Sequence, residues 1–188
     1  MEELRERTLA SSTVFEGRII KVKVDRVALP DGRESDREVV LHGGAAAVVA
    51  LDDDRRVFVV EQYRYAAGET ILEIPAGKLD PGESPLACAE RELEEEAGVR
   101  ARSWLPLGAF LTSPGFSNEV VHIFLATGLE RAAGCRPPDD DESLTVRRIP
   151  LQSLKRMVAS GLVRDAKTAT GILLAADAME TGKRGAPV

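Results

Sequence analysis

The sequence predicts an α+β fold: an α/β/α sandwich around a mixed sheet, with a small antiparallel sheet added at the N-terminus. Three observations carry this. Short strand-like apolar runs recur along the chain, with helical patterns both between and after them. The run AAAVVAL at 45–51 is apolar throughout, as a strand covered on both faces must be. The stretch 85–97 repeats its apolar residues at three- and four-residue spacing, the mark of a helix with one buried side.

The elements follow in order. Residues 1 to about 40 read as short strands; 13–29 alternate partially with period two, and PDGR at 30–33 is a turn signal. After the buried strand 45–51 comes a turn at 52–55 and a returning strand VFVVEQY at 57–63. ILEI at 71–74 is a further short strand. PAGKLDPGES, 75–84, is rich in Gly and Pro and reads as a structured loop. The helix 85–97 stops at Gly98. Strands are expected at about 103–111, 119–127 and 144–149, with a loop at 131–143. Helices are expected at 151–160 and 165–179. The chain is thus divided into N-terminal strands, 1–43, a main domain, 44–181, and a disordered tail, 182–188.

A chain of 188 residues with 44% hydrophobic residues builds one sizeable core. Its net charge of −6 argues against a protein that grips nucleic acid by neutralising phosphates. Cys88 and Cys135 have no metal-ligand spacing and are too few for a disulfide scaffold; Cys88 reads as a small core residue. No apolar run reaches 18 residues, and MEELRERTLA lacks an apolar signal segment, so a cytoplasmic protein is expected.

The acid is concentrated in two clusters, 90–96 and 139–142. On a helical wheel Glu92 and Glu96 lie about 40° apart, and Glu95 about 60° to the other side of Glu92. The apolar stripe of Leu86, Ala89, Leu93 and Ala97 lies roughly 100° around, which puts the three carboxylates at the edge of the core. Like charges so spaced cost a few tenths of a kcal/mol per pair. Only Arg91 and Lys78 are near enough to compensate them. A Glu-rich helix is usually a solvated face; an uncompensated carboxylate triad is also what a hard cation such as Mg²⁺ takes.

The wider context decides between these. Gly77, Glu83 and the run Arg91-Glu92-Leu93-Glu94-Glu95-Glu96-Ala97-Gly98-Val99 resemble the Nudix box at all nine of its defining positions. The resemblance implies a loop–helix–loop over this segment and divalent-cation-dependent hydrolysis of a nucleoside diphosphate linked to another group. It implies Glu92, Glu95 and Glu96 as metal ligands, joined by the backbone carbonyl of Ala76, with Mg²⁺ or Mn²⁺ as the ion. Gly77 is suited to a tight turn, Arg91 and Glu83 pair to brace the loop, and Gly98 ends the helix.

Segments outside the box resemble the ADP-ribose pyrophosphatase branch of that family. They are Ser113-Pro114-Gly115-Phe116-Ser117-Asn118-Glu119, Glu61-Gln62-Tyr63-Arg64-Tyr65, Leu72-Glu73-Ile74-Pro75-Ala76-Gly77, Asp165-Ala166-Lys167-Thr168 and Arg37-Glu38-Val39-Val40-Leu41-His42. Leu41 departs from the branch, which has an acid there. The resemblance implies ADP-ribose as substrate, cleaved to AMP and ribose 5-phosphate. It implies substrate contacts from Arg37, Glu38, Arg64, Glu73, Pro114, Gly115 and Glu119, and a homodimer sharing N-terminal strands. Glu142, in the acidic run Asp139-Asp140-Asp141-Glu142, matches the branch's catalytic base; Asp141 and Glu95 are the alternatives. Competing expectations are another sugar nucleotide such as ADP-glucose or GDP-mannose, a repair enzyme for oxidised nucleoside triphosphates, and a non-catalytic Nudix ligand-binding module.

Overall fold

The computed structural model describes residues 4–132, 144–182 and 186–187. It divides into two compact units, one of Met1–Gly44 with Leu111–Val120, the other of Ala45–Phe110 with Val121–Val188.

The first unit is a three-stranded antiparallel sheet of β1 (Arg7–Glu16), β2 (Lys21–Ala28) and β3 (Glu34–Leu41), in that order. The PDGR signal forms the β2–β3 turn: Leu29 N–H donates to Arg33 O at 2.7 Å, and Gly32 supplies the positive φ of 85°. The β2–β3 ladder runs unbroken from Lys21 opposite Leu41 to Ala28 opposite Glu34. The segment 112–119 lies along β3, where Val40 N–H donates to Phe116 O (2.7 Å) and His42 N–H to Asn118 Oδ1 (2.8 Å).

The second unit contains β4 (Ala45–Leu51), β5 (Arg56–Arg64), β6 (Glu69–Glu73), β7 (Ala76–Lys78), α1 (Pro85–Ala97), β8 (Val99–Leu111), β9 (Val120–Arg131), β10 (Leu144–Pro150), α2 (Leu151–Ala159), α3 (Ala166–Glu180) and β11 (Ala186–Pro187). The sheet order is β10-β5-β4-β9-β8-β11, with β6 also on β5 and β7 also on β4. β4 and β9 are parallel, while β5 and β7 run antiparallel to β4, so the sheet is mixed.

The unbroken apolar run of β4 follows from this position. Ala45, Ala47, Val49 and Leu51 enter one core with residues of α2 and α3; Ala46, Val48 and Ala50 enter the other with Cys88, Ala89 and Leu93 of α1. α3 approaches closely at Gly171, where a Cβ would stand 3.0 Å from both Ile74 and Val49. α1 thus covers one face and α2 with α3 the other, which is the expected sandwich.

Two short pieces escape sequence periodicity. β7 lies inside the expected 75–84 loop; its three residues pair with β4, Ala46 opposite Gly77. Three residues are too few for a period-two pattern, and Gly and Pro mark turns more strongly than strands. Within 182–188, β11 pairs Ala186 with Trp104 of β8. No described helix is long and apolar enough to cross a membrane.

Candidate active site

Helix α1 is set by its caps. Ser84 Oγ accepts from Ala87 N–H at 3.2 Å, Pro85 stands in the first turn, and Gly98 closes the C-terminus at φ 67° while its N–H reaches Glu94 O at 3.1 Å. The buried residues are Cys88, Ala89, Glu92, Leu93 and Glu96. Two carboxylates therefore belong to the buried face, where the wheel places them at its edge. Glu92 is 9% exposed and Glu96 4%. A buried carboxylate is costly without a compensating charge or donors.

Strand β7 supplies the floor. Ala76 N–H donates to Glu96 Oε2 at 3.0 Å, so this residue meets the carboxylates through its amide, where the resemblance implies its carbonyl. Gly77 sits in the strand without a positive φ, so its expected role in a tight turn does not hold. Its need is proximity: a Cβ there would be 1.7 Å from Glu92 Oε1.

Arg91 joins the loop to the helix. Its Nε and Nη2 donate to Glu83 Oε1 and Oε2, at 3.0 and 3.1 Å, and Nη2 also to Lys78 O at 3.1 Å. Nη1 donates to Glu92 Oε1 (2.6 Å) and Glu95 Oε2 (3.1 Å). The triad is therefore not uncompensated: one guanidinium braces the loop and serves two of the three carboxylates. Bonding to Glu83, the largest cause, and then to Glu92 and Glu95 raises Arg91 above its ordinary value against the effect of burial.

The same pair holds the Glu83 carboxyl below its usual value of 4.5, chiefly through Arg91. A carboxylate depressed on folding stabilises the protein above its unfolded value and loses that contribution as pH falls through the folded one. Glu83→Gln is thus expected to cost roughly 1–3 kcal/mol at pH 7, with the gap to wild type closing as pH drops below 4.5. Thermal melts of both proteins from pH 7 to pH 3 read this directly; a gap independent of pH would refute it. Cys88, fully buried, has its thiol pushed up to about 12 by that burial, which rules it out as a nucleophile at neutral pH.

Among the described residues no three acidic, His or Cys side chains converge on one cation position. Glu92 and Glu95 turn to Arg91, and Glu96 to Ala76. The donor chemistry nevertheless fits a hard divalent cation: three carboxylates on one helix, two of them buried, with a cationic guanidinium already on two of them.

At the ends of β5 and β6 lies a second charged group. Arg64 Nε and Nη2 form a fork on Glu73, at 2.6 and 2.8 Å. Glu73 is 1% exposed and also accepts from Lys167 Nζ. Lys167 and Asp165 pair at 3.1 Å. Arg64 lies within the field of Glu96, which ties this group to the carboxylate helix. In the sequence Lys167 stands only within a segment that resembles the branch and carries no role of its own; the signal that could have found it is a lysine at the start of a helix, two residues after the N-cap Asp165.

In the first unit, Arg37 forks onto Glu6, at 2.6 and 2.9 Å, and Glu38 is exposed on β3. Pro114 and Gly115 are exposed in the segment along β3. Glu119 accepts from Thr112 Oγ1 at 2.6 Å and stands 3.3 Å from His42 Nδ1. His42 Nδ1 also accepts from Gly44 N–H at 3.1 Å. Asp141 and Glu142 lie outside the described residues.

Comparison with known proteins agrees with this geometry. Residues 41–171 match the NUDIX domain, and residues 6–40 match the nucleoside diphosphate sugar hydrolase N-terminal domain. The chain is 45% identical to an ADP-ribose pyrophosphatase of Bacillus subtilis (strain 168), over 92% of this chain and 93% of that one. It is 39% identical to a methanol dehydrogenase activator of Bacillus methanolicus, over 89% and 90%. An ADP compounds hydrolase of known structure superposes with a TM-score of 0.83 at 22% identity, covering 95% of this chain and 96% of that one, which shows a shared fold. The carboxylate helix, the box motif across it and the matched domain together establish that the chain belongs to the Nudix hydrolase family, and that it carries the N-terminal domain of nucleoside diphosphate sugar hydrolases.

Proposed function

We propose that this protein hydrolyses ADP-ribose to AMP and ribose 5-phosphate with Mg²⁺, or Mn²⁺ in its place. The observation that carries the reading is the α1 face bearing Glu92, Glu95 and Glu96, beside Arg64. The 45% identity to an ADP-ribose pyrophosphatase over nearly the whole chain supports the substrate.

Glu92, Glu95 and Glu96 would hold the ion, which when bound neutralises diphosphate charge and lowers the pKa of water. Arg64 offers Nη1, which carries no hydrogen bond among the described residues, to a substrate oxygen. Water attacks one phosphorus of the diphosphate, the bridging P–O bond breaks, and the attacking water gives up a proton. We assign that proton to Glu142, with Asp141 and Glu95 as alternatives, on the resemblance of its acidic loop. Glu142→Gln is expected to lower kcat at least ~100-fold at saturating Mg²⁺; a loss under about tenfold removes Glu142 from the role. Arg37, Glu38, Pro114, Gly115 and Glu119 are proposed to contact substrate, here or in a partner subunit.

The matched N-terminal domain keeps a second substrate open, another nucleoside diphosphate sugar such as ADP-glucose or GDP-mannose. All ten residues of β1 are exposed, Val14 and Phe15 among them. A strand with both faces bare suits a homodimer, and we propose one, in the cytoplasm. The deciding experiment is AMP release from ADP-ribose beside a panel of sugar nucleotides, in Mg²⁺ and in EDTA. Mg²⁺-dependent preference for ADP-ribose supports the proposal. Preference for another member replaces the substrate, and no turnover on any points to a binding or activator role.

A further inference from the structure

We infer that Lys167 and Asp165, at the start of α3, are positioning residues for substrate binding: through Glu73 they hold the Arg64 guanidinium in place beside the carboxylate helix. The inference rests on the proposed contact between Arg64 and substrate.

Arg64 ends β5, and the next residue, Tyr65, is 92% exposed. An arginine at a strand end has several rotatable bonds, and fixing it costs side-chain entropy. Here it is fixed before any ligand arrives. Glu73 occupies Nε and Nη2, while Nη1 and a side chain 40% exposed stay available. Glu73 itself is not placed to touch substrate, being 1% exposed with both oxygens engaged. Its task is to aim Arg64.

A carboxylate so deeply buried does not keep its charge by default. Burial is the largest influence on Glu73 and pushes its pKa up; Arg64 and Lys167 together overcome it and hold the value below 4.5. Lys167 is thus the second cation that keeps Glu73 charged. It is in turn anchored. Asp165 caps α3 by accepting from Thr168 N–H at 2.9 Å, accepts from Thr168 Oγ1 at 2.5 Å, and pairs with Lys167. Thr168 Oγ1 accepts from Ile74 N–H at 2.9 Å, one residue beyond Glu73. The chain Asp165–Lys167–Glu73–Arg64 therefore starts from a helix end stapled to the strand end that bears Glu73. Without Lys167, one cation remains on a buried carboxylate, and the fork on Arg64 is what must adjust.

The test is steady-state kinetics with ADP-ribose, alongside melting temperatures, for wild type, Arg64→Ala, Lys167→Met, Lys167→Arg and Asp165→Asn. Lys167→Met is expected to raise KM about tenfold with kcat within about threefold, because binding rather than chemistry loses its preset contact. Half-saturating Mg²⁺ should not change. Lys167→Arg, which keeps the charge, is expected to bring KM back to within about threefold of wild type. Asp165→Asn keeps a helix-capping side chain and covers the case in which Lys167→Met does not fold; its KM should rise about threefold. Wild-type KM in both Lys167→Met and Asp165→Asn overturns the inference, whatever their melting temperatures, and leaves these residues as a staple for α3. If Arg64→Ala also leaves KM unchanged, the Arg64 contact itself is wrong. If wild type prefers another sugar nucleotide, the same comparison is run on that substrate.

Discussion

Glu96→Gln is expected to lower kcat on ADP-ribose about a thousandfold, the scale of losing one preorganised charge at a reacting centre, and to lose most of the stability that Mg²⁺ adds to wild type. The two halves have one cause. Glu96 is 4% exposed and accepts from the Ala76 N–H at 3.0 Å. Glutamine retains an oxygen that can accept from that N–H, so the strand–helix link survives. What disappears is a buried negative charge, which a hard divalent ion takes as a ligand and a neutral amide does not replace. Titrating Mg²⁺ against melting temperature separates the two effects: wild type should gain stability with the ion and Glu96→Gln should gain far less. Turnover within tenfold of wild type would remove Glu96 from the ligand set.

Gly77→Ala is expected to reduce kcat by about 100-fold or more and to destabilise the fold by roughly 1–3 kcal/mol, the usual penalty of overpacking. One methyl group suffices. The new Cβ would lie 1.7 Å from Glu92 Oε1 and 2.0 Å from Cδ, distances no pair of unbonded atoms can hold. Glu92 cannot simply swing aside, because it is 9% exposed and its Oε1 is held by Arg91 at 2.6 Å. β7 cannot withdraw without breaking its pairing with β4 at Ala46. Relief therefore comes by displacing the carboxylate or the strand that supplies the floor beneath it. The apparent Mg²⁺ requirement should rise along with the loss of kcat. A Gly77→Ala protein with wild-type kcat and Mg²⁺ dependence would show that Glu92 can move without consequence, against its proposed role.

By itself the sequence determined the elements whose signals are local. The apolar run of β4, the spacing and caps of α1, the PDGR turn and the box motif each depend on residues close in the chain. They sufficed to identify the sandwich, the carboxylate helix and the Arg91–Glu83 brace, which the structure forms as a two-bond fork. Only the tertiary structure decided which way those side chains turn. The wheel places the carboxylates at the edge of the core, but packing on β4 and β7 carries Glu92 and Glu96 into it. Gly77 is a glycine because a carboxylate from a helix 15 residues further on presses against its Cα, not because a turn needs its φ. Glu73 is read from sequence as a substrate contact; that it is 1% exposed and shared by Arg64 and Lys167, the latter 94 residues away, is visible only in the structure and is what the proposed positioning role rests on. Helical periodicity and motif spacing report which residues lie side by side along the chain. Burial, close approach and shared counter-ions arise between elements that meet only once the sheet and its helices have packed, so they leave no local trace.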